Sequence, residues 1–338
     1  MPNLAHFDAA MEFVREHGAR YTPNAGDPEL REMIARHYAY PGRGQAENVC
    51  VNVGSQEAMY AALLALLDPA NDELLIVEPT FPSYAKMATL HGVTVRGVAM
   101  SESDDFAIDA ERIADAMGER TRAIVLCSPC NPTGRAISAD QAASLVRALE
   151  RRGGEIALIH DEIYREQHFG ERVDLARLYP QSIAINSLSK SNALTGLRLG
   201  WSIGPEAFIA QAIKVHAWIA SCTDAFAQRV AMHVFASNAV EEHAGWYRAR
   251  QPQIIAALRE SGLRFIVPDG AFYACVRLPD GMDSLATALA LAEERDVIAI
   301  PGIAFGACFE GWLRLSWVAP LDDFREGLAR IATFRTAA

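Results

Sequence analysis

Short apolar segments alternate with amphipathic stretches through the first two thirds of the chain. The apolar segments are rich in Val, Ile and Leu, which is typical of buried strands. They predict strands at Val49–Val53, Leu74–Val77, Val93–Val98, Ala123–Cys127, Ile156–Ile159, Ile183–Asn186 and Arg198–Ile203. Apolar residues at helical spacing predict helices at Ser55–Leu67, Asp109–Met117 and Asp140–Arg152. This alternation predicts an α/β fold, with a mostly parallel sheet that is covered by helices on both faces.

The pattern changes after about residue 225. A long helical tract, roughly Ala225 to Gly262, leads into shorter elements that no longer alternate regularly. We predict strands at Phe272–Leu278, Val297–Ile300 and Trp312–Trp317, and helices at Ser284–Arg295 and from Leu321. These elements indicate a smaller α+β domain hinged on a long helix. We therefore predict a large domain over residues 20–245 and a small domain formed by residues 1–19 and 246–338.

Composition and charge narrow the classes of function. The chain has 338 residues, enough for about two domains, and 31 Lys and Arg against 42 Asp and Glu give it a net charge of −11. An acidic surface does not suit nucleic acid or an anionic membrane. The longest uninterrupted apolar segment, Ala58 to Leu67, is far shorter than the ~20 residues that span a bilayer. With no signal-peptide layout at the N-terminus, we expect a soluble, cytoplasmic protein without nucleic-acid or membrane partners.

The six cysteines are scattered along the chain, and we expect them to be free thiols. Cys127-Ser128-Pro129-Cys130 has the C-x-x-C spacing of redox pairs and zinc sites. Neither a second C-x-x-C motif nor a cluster of histidines accompanies it. Packing at a strand end is therefore favoured over a redox or metal role, and no metal site is predicted.

Polar residues follow several of the predicted strands, where ligands bind in open α/β sheets. The strand Val49–Val53 runs into Gly54-Ser55-Gln56, where a helix begins. Unpaired N–H groups beside a hydroxyl suit a phosphate there, although an ordinary Ser-capped helix start has the same pattern. Asp161 follows Ile156–Ile159, and a carboxylate at a buried strand end must be paired, either with a ligand or with a loop.

A lysine occupies the end of another predicted strand. Ile183–Asn186 runs into Ser187-Leu188-Ser189-Lys190, and a desolvated lysine is more easily neutral and then nucleophilic toward carbonyls. Arg198 lies between two leucines and needs an anionic partner. A lysine, a strand-end carboxylate and several phosphate-suited groups are together the set that pyridoxal 5′-phosphate (PLP) requires. We therefore predict PLP as the cofactor.

From about Tyr21 to the C-terminus, these motifs resemble those of class I/II aminotransferases, the fold-type-I PLP enzymes around aspartate aminotransferase. The resemblance implies a fold-type-I PLP-dependent transferase, whose large domain binds the cofactor. It implies an aminotransferase that moves an amino group from an L-amino acid to a 2-oxo acid such as 2-oxoglutarate or pyruvate. By this resemblance, Lys190 forms the Schiff base with the cofactor and shuttles the proton.

The resemblance also implies roles for the other candidate residues. Asp161, in Asp161-Glu162-Ile163-Tyr164, is expected to pair with the pyridine nitrogen, while Tyr164 and Asn131 hydrogen-bond the phenolic oxygen. Phe81, in the segment from Pro79 to Tyr84, is expected to stack on the ring. Arg314 is expected to bind the substrate α-carboxylate beside Asn131. The expected phosphate-binding residues are Ser55, Gln56, Ser187 and Arg198.

Three further features bear on assembly and on the substrate. Tyr21, in Tyr21-Thr22-Pro23, resembles the tyrosine that reaches the phosphate of the neighbouring subunit, which implies a homodimer. Family members usually carry an N-terminal segment with a Gly-x-x-Asp-Phe-type motif over the substrate, and Met1-Pro2-Asn3-Leu4 begins about where that segment ends. Gln56 replaces a lysine that reads the distal carboxylate in the bacterial aspartate-specific branch. A dicarboxylic donor is therefore less favoured.

Three other classes of function are alternatives to transamination. A PLP-dependent lyase, cyclising synthase or oxidase remains compatible, because fold-type-I sites share their cofactor contacts. A PLP-binding regulator or inactive homologue is disfavoured, since Lys190, Asp161 and Arg314 are intact and a fused DNA-binding domain has no room before Tyr21. A Rossmann dehydrogenase is disfavoured because Gly42-Arg43-Gly44 lacks the third glycine and precedes a strand.

Overall fold

The computed structural model describes residues 5–334, which form two β-sheets with helices packed around them. The strands of the larger sheet are β1 (Val49–Asn52), β2 (Glu73–Glu78), β3 (Thr94–Ala99), β4 (Thr121–Cys127), β5 (Ala157–Asp161), β6 (Ser182–Ser187) and β7 (Gly200–Ile203). Their order across the sheet is β1-β7-β6-β5-β4-β2-β3. Strand β7 runs antiparallel to both of its neighbours, whereas the other neighbouring pairs are parallel.

Helices lie before, between and after these strands along the chain. They are α1 (Ala5–His17), α2 (Pro28–Tyr38), α3 (Gly54–Leu66), α4 (Ser83–His91), α5 (Ala110–Ala116), α6 (Ala139–Arg151), α7 (Leu188–Ser191), α8 (Glu206–Ile219), α9 (Ala225–Phe235), α10 (Ala239–Glu260), α11 (Ser284–Arg295) and α12 (Leu321–Thr333). Between residues 5 and 334, none of these helices has the length and apolar character needed to cross a lipid bilayer.

Successive strand residues point to opposite faces of the larger sheet, and helices cover both faces. Leu74 and Ile76 of β2 pack into one core with α3, α4 and α8. Leu75, between them, packs into a second core with α5 and α6. Toward β1 and β7, a third core is formed with α1, α2 and α9 around Val51 and Trp201. The predicted α/β fold is thus confirmed.

The smaller sheet is antiparallel. Its strands are β8 (Phe265–Ile266), β9 (Tyr273–Arg277), β10 (Ile300–Pro301) and β11 (Trp312–Ser316), in the order β10-β11-β9-β8. It shares a core with α10, α11 and α12. The predicted strand Val297–Ile300 is largely wrong, because only Ile300 and Pro301 pair with β11. Val297 and Ala299 are buried and Ile298 is exposed. Burial therefore alternates along this segment as it does in a strand, although residues 297–299 pair with no neighbouring strand in the described part of the chain.

The predicted helical tract from Ala225 to Gly262 is divided between α9 and α10. Helix α10 connects the two cores: Val240 packs beside the larger sheet and Tyr247 beside the smaller one. Helix α1 packs against α9, with the rings of Phe7 and Phe226 5.9 Å apart. We propose that residues 20–245 form the large domain and that residues 1–19 and 246–338 form the small domain.

Candidate active site

A cavity of about 300 Å³ lies between the carboxyl ends of β4, β5 and β6 and the smaller sheet. It brings together the predicted residues Ser55, Gln56, Phe81, Asn131, Asp161, Tyr164, Lys190, Arg198 and Arg314. It is also lined by Met59, Tyr84, Ile163, Ser189, Thr195 and Tyr273. Residues far apart in sequence therefore meet at the sheet edge where their strands end.

Lys190 lies in the short helix α7, directly after β6. Its backbone carbonyl accepts a hydrogen bond of 2.6 Å from the Gln167 side chain, which fixes the helix beside the cavity. Its ammonium nitrogen lies 5.7 Å from the centre of the Phe272 ring. Burial, together with the positive charges of Arg314 and Arg198, lowers the pKa of Lys190. These surroundings favour the neutral amine.

Asp161 ends β5, and its side chain is buried. One carboxylate oxygen accepts a 2.5 Å hydrogen bond from the Tyr84 hydroxyl, and the other accepts a 3.1 Å bond from the Ile163 N–H. Burial raises the pKa of Asp161 to about 6 despite these two hydrogen bonds. A positive group in the cavity would therefore be a favourable partner for this carboxylate.

The start of α3 and the side chain of Arg198 form a site suited to an anion. Gly54 has φ +77°, and a Cβ there would overlap the Arg198 guanidinium, so glycine allows the two to lie together. A Cβ at Gly200 would overlap the backbone nitrogen of Ser55. Arg198 itself has φ +53° and donates a hydrogen bond of 3.1 Å to the carbonyl of Thr195. The helix N-terminus and the guanidinium both favour negative charge.

Glu57 fastens this turn from behind. Its carboxylate accepts hydrogen bonds from the Asn52 side chain at 2.8 Å and from the Val53 N–H at 3.0 Å. It also lies 3.1 Å from Nδ1 of the buried His216 in α8. The end of β1 and the start of α3 are thereby tied to a neighbouring helix, which preorganises the turn before any ligand binds.

Tyr164 and Tyr273 meet at the junction of the two sheets. Both side chains are buried, and their hydroxyl oxygens are 2.7 Å apart. Their rings pack edge to face with centroids 5.5 Å apart, and Tyr164 makes a similar contact with Phe272. Burial raises the pKa of both hydroxyls, so both remain protonated near neutral pH.

Arg314 enters the cavity from β11. Its guanidinium donates a 2.8 Å hydrogen bond to the side-chain oxygen of Asn131. The guanidinium carbon lies 4.4 Å from the centre of the Tyr273 ring and 5.0 Å from that of Phe305. Two aromatic faces therefore position a planar group that binds carboxylates with two hydrogen bonds.

Two predicted residues do not line the cavity. Ser187 is buried behind α7, where its hydroxyl accepts a hydrogen bond of 2.9 Å from the Ser189 N–H. Tyr21 is 91% exposed. Neither arrangement tests a contact with the cofactor or with a second subunit, so both roles stay predictions.

The C-x-x-C motif lies at the end of β4, beside the cavity. Cys127 Sγ and Cys130 Sγ each donate to a backbone carbonyl, of Pro129 and Pro79 respectively, at 3.3 Å. All six cysteines are free. Among residues 5–334, no three His, Cys, Asp or Glu side chains are grouped so that they could hold a metal ion.

Sequence reasoning missed four polar residues of the cavity: Tyr84, Ser189, Thr195 and Tyr273. Tyr84 lies three residues after Phe81 at the start of α4, so a helical turn brings it to the same side, which was a usable signal. Tyr273 begins a strand of the other sheet. Nothing local in the sequence indicates that it meets Tyr164.

Comparisons with known proteins agree with this geometry. The family described as aminotransferase class I and II matches residues 8–331. The chain is 32% identical over 337 residues to an aspartate aminotransferase of Pyrococcus horikoshii, covering 96% of this chain and 85% of that protein. It is 34% identical over 340 residues to an arginine–pyruvate transaminase of Pseudomonas aeruginosa, covering 96% of this chain and 84% of that protein.

Solved structures show the same fold. The aspartate aminotransferase of Thermus thermophilus with maleate superposes with a TM-score of 0.90 at 30% identity, covering 98% of this chain and 87% of that chain. The aspartate aminotransferase of Thermotoga maritima superposes with a TM-score of 0.91 at 28% identity, covering 98% and 88%.

Proposed function

This chain belongs to the class I and II aminotransferases, and on that premise we propose that its cavity binds PLP and moves an amino group from an L-amino acid to a 2-oxo acid. The enzyme is an aminotransferase. One observation carries the assignment of the site. The amine of Lys190, the carboxylate of Asp161 and the anion site at Ser55 and Arg198 open into the same cavity.

The residues present fit the cofactor. Asp161 is a buried carboxylate whose raised pKa favours a cationic partner, and a protonated pyridine nitrogen is such a group. The phosphate suits the N-terminus of α3 together with Arg198. Phe81 lines the cavity with its ring 6.0 Å from that of Tyr84, and it provides an apolar surface for stacking. We propose that Ser187 supports the phosphate through α7.

When bound, PLP supplies an electron sink for the pair that remains when a bond to the substrate Cα breaks. Arg314 binds the substrate α-carboxylate with two hydrogen bonds, beside the Asn131 side chain. The lowered pKa of Lys190 favours the neutral amine, which would take the proton from the substrate Cα and pass it to the cofactor carbon. The Tyr164 hydroxyl would donate a hydrogen bond to the phenolic oxygen of the bound cofactor. The same residues then act on the 2-oxo acid in the second half of a ping-pong cycle.

We propose that the substrate amino acid lacks a distal carboxylate. The cationic residues that line the cavity are Lys190, Arg198 and Arg314, each with a role already described. Gln56 is neutral, and its amide lies 3.4 Å from the hydroxyl of Ser83. A buried distal carboxylate would lack a charged partner from this subunit.

We propose a homodimer in which Tyr21 reaches the phosphate of the neighbouring subunit. The segment that carries Tyr21 is fixed by hydrogen bonds from Thr22 to the carbonyl of Thr223 at 3.1 Å and from Asn24 to that of Ser221 at 2.6 Å. Trp218, three residues before Ser221 in sequence, is 92% exposed, and large exposed aromatic side chains are typical of interfaces. Sedimentation of the wild type and of Trp218→Ser tests the dimer, and a monomeric wild type contradicts it.

The experiment for the function measures transfer from a panel of L-amino acids to 2-oxoglutarate and to pyruvate. Stoichiometric formation of the new amino acid and the new 2-oxo acid is expected for at least one donor. The matched control is Lys190→Ala, which should lose turnover. Ammonia release without an acceptor would contradict transamination. Location in the cytoplasm stays a prediction of the sequence.

A further inference from the structure

Tyr273 contacts both Tyr164, the proposed partner of the cofactor, and Arg314, the proposed partner of the substrate carboxylate. Its hydroxyl oxygen lies 2.7 Å from that of Tyr164, and the face of its ring lies 4.4 Å from the Arg314 guanidinium carbon. The side chain is 6% exposed, so water competes little for either contact. The backbone of Tyr273 is also fixed, because its carbonyl accepts a hydrogen bond of 3.1 Å from the indole of Trp317.

The direction of the hydrogen bond between the two tyrosines follows from counting protons. A neutral phenol has one proton to donate, and it accepts through its oxygen. Under the proposed function, on which this inference rests, the proton of Tyr164 is donated to the phenolic oxygen of PLP. The hydrogen bond between Tyr164 and Tyr273 must then use the proton of Tyr273.

We propose that Tyr273 is a positioning residue whose hydroxyl donates a hydrogen bond to the oxygen of Tyr164. This bond orients the Tyr164 hydroxyl and strengthens the hydrogen bond that Tyr164 donates to the cofactor. A hydrogen bond donated to the Tyr164 oxygen stabilises the partial negative charge that builds up on this oxygen when Tyr164 itself donates a hydrogen bond. Consecutive hydrogen bonds of this kind strengthen one another in a buried site. We name the two consecutive hydrogen bonds, from Tyr273 to Tyr164 and from Tyr164 to the phenolic oxygen, the tyrosine relay.

The ring of Tyr273 has a role distinct from that of its hydroxyl. It supports the guanidinium of Arg314, which binds the substrate rather than the cofactor. Arg314 on β11 pairs opposite Cys275 on β9, and Tyr273 lies two residues before Cys275. Tyr273 and Arg314 therefore share one face of the smaller sheet, and both line the cavity. The hydroxyl should therefore affect cofactor chemistry, and the ring should affect substrate binding.

Other ionisable groups also face the two tyrosines. They are Cys127 on β4, Asp161 on β5, Lys190 on α7, Tyr247 on α10, Cys275 on β9 and Arg314 on β11. Replacing the hydroxyl of Tyr273 by hydrogen changes none of these groups. A change in the titration of the bound cofactor can therefore be assigned to the tyrosine relay.

The test titrates the visible absorbance of the PLP-loaded holoenzyme with pH, for wild type, Tyr273→Phe, Tyr164→Phe and the double variant. Tyr273→Phe should raise the midpoint by about half a pH unit, because the phenolic oxygen is less well stabilised as an anion. In the Tyr164→Phe background the same substitution should cause no further shift. Tyr179→Phe is the matched control, since it loses a buried hydrogen bond to the carbonyl of Ile156 without lining the cavity.

Kinetics separate the hydroxyl from the ring. Tyr273→Phe should lower kcat about threefold and leave KM within twofold, whereas Tyr273→Leu should also raise the KM of the amino acid severalfold. An unchanged midpoint in Tyr273→Phe beside a shifted midpoint in Tyr164→Phe overturns the tyrosine relay alone. Equal shifts in both backgrounds overturn it as well. A wild-type protein that shows no visible band with PLP overturns the cofactor proposal, and the relay with it.

Discussion

The Tyr84 hydroxyl donates a 2.5 Å hydrogen bond to Oδ2 of Asp161, joining the start of α4 to the end of β5. Both side chains are buried, so the bond is shielded from water. A hydrogen bond to the carboxylate lowers the pKa of Asp161 and partly opposes the effect of burial. Tyr84 thereby helps to keep Asp161 negative, the form that a pyridinium nitrogen requires.

Replacing Tyr84 by phenylalanine should weaken PLP binding about tenfold. The substitution removes a hydrogen bond to a charged group, whose contribution is about 1.5–3 kcal/mol, while the ring and its packing remain. The dissociation constant of PLP, measured by equilibrium titration of the cofactor-free protein, checks this prediction. Tyr179→Phe serves as the control. An affinity equal to that of the wild type would show that Tyr84 does not act on Asp161.

Asp161 should make the cofactor-free protein less stable as the pH rises from about 4 to 6. Its pKa is about 6 in the folded chain, against 3.8 as its ordinary value. The folded state therefore holds a proton that the unfolded state has lost, and this contribution to stability disappears as the pH passes through the folded pKa. A difference of about two pKa units corresponds to about 3 kcal/mol.

The free energy of unfolding is measured across this pH range in the wild type and in Asp161→Asn. The difference between the two proteins isolates the contribution of Asp161 to stability, because the other titrating groups are common to both. The difference between the two free energies of unfolding should change by about 3 kcal/mol. Bound PLP should abolish the fall, since a positive nitrogen beside the carboxylate lowers its pKa. Parallel pH profiles for both cofactor-free proteins would contradict the account.

Replacing Gly54 by alanine should disrupt the anion site. A Cβ would overlap the Arg198 guanidinium, and φ of +77° is strained for any L side chain. We expect PLP affinity to fall at least tenfold and the protein to lose about 1–3 kcal/mol of stability. Gly44→Ala is the control, because nothing lies within 4 Å of a Cβ there. Equal affinity in the two variants would refute the role of this turn.

Replacing Gln56 by lysine should shift the substrate preference toward dicarboxylic amino acids. Gln56 lines the cavity with Arg314 and is neutral, so a lysine there would add a cation facing the substrate. A new charge-assisted hydrogen bond is worth about 1.5–3 kcal/mol, which corresponds to at least a tenfold gain in kcat/KM for aspartate. Kinetics with aspartate and with its amide, asparagine, measure the change. An equal gain for both substrates would contradict the proposed position of Gln56.

Much of the larger sheet is predictable from sequence because its strands, apart from the mostly exposed edge strand β3, are buried on both faces and have apolar sequences. The antiparallel direction of β7 is not, since Gly200–Ile203 has the same apolar character as the parallel strands. In the smaller sheet, the alternation at Val297–Ile300 comes from core packing rather than strand pairing. Direction and partner depend on contacts far apart in sequence, which periodicity does not report.

In the candidate site, too, the residues that sequence predicts are those with a local signal, and the residues that it misses depend on contacts far apart in sequence. Lys190 and Asp161 were found because a charged residue at the end of an apolar strand is unusual, and both line the cavity. Tyr273 lies in a strand whose residues are otherwise typical of a core, and its importance comes from its contacts with Tyr164 and Arg314. Such a residue becomes recognisable only when the two sheets are seen together.

In the proposed function, Lys190 moves the proton at the substrate Cα in a cavity that holds PLP. The most direct measurement adds one amino acid, without an acceptor, to the PLP-loaded protein and follows the absorbance spectrum. The visible band of the wild type should bleach to the pyridoxamine form, with one 2-oxo acid released per site. Lys190→Ala should bind PLP yet bleach at least 100-fold more slowly. Bleaching at the wild-type rate in Lys190→Ala would contradict the account.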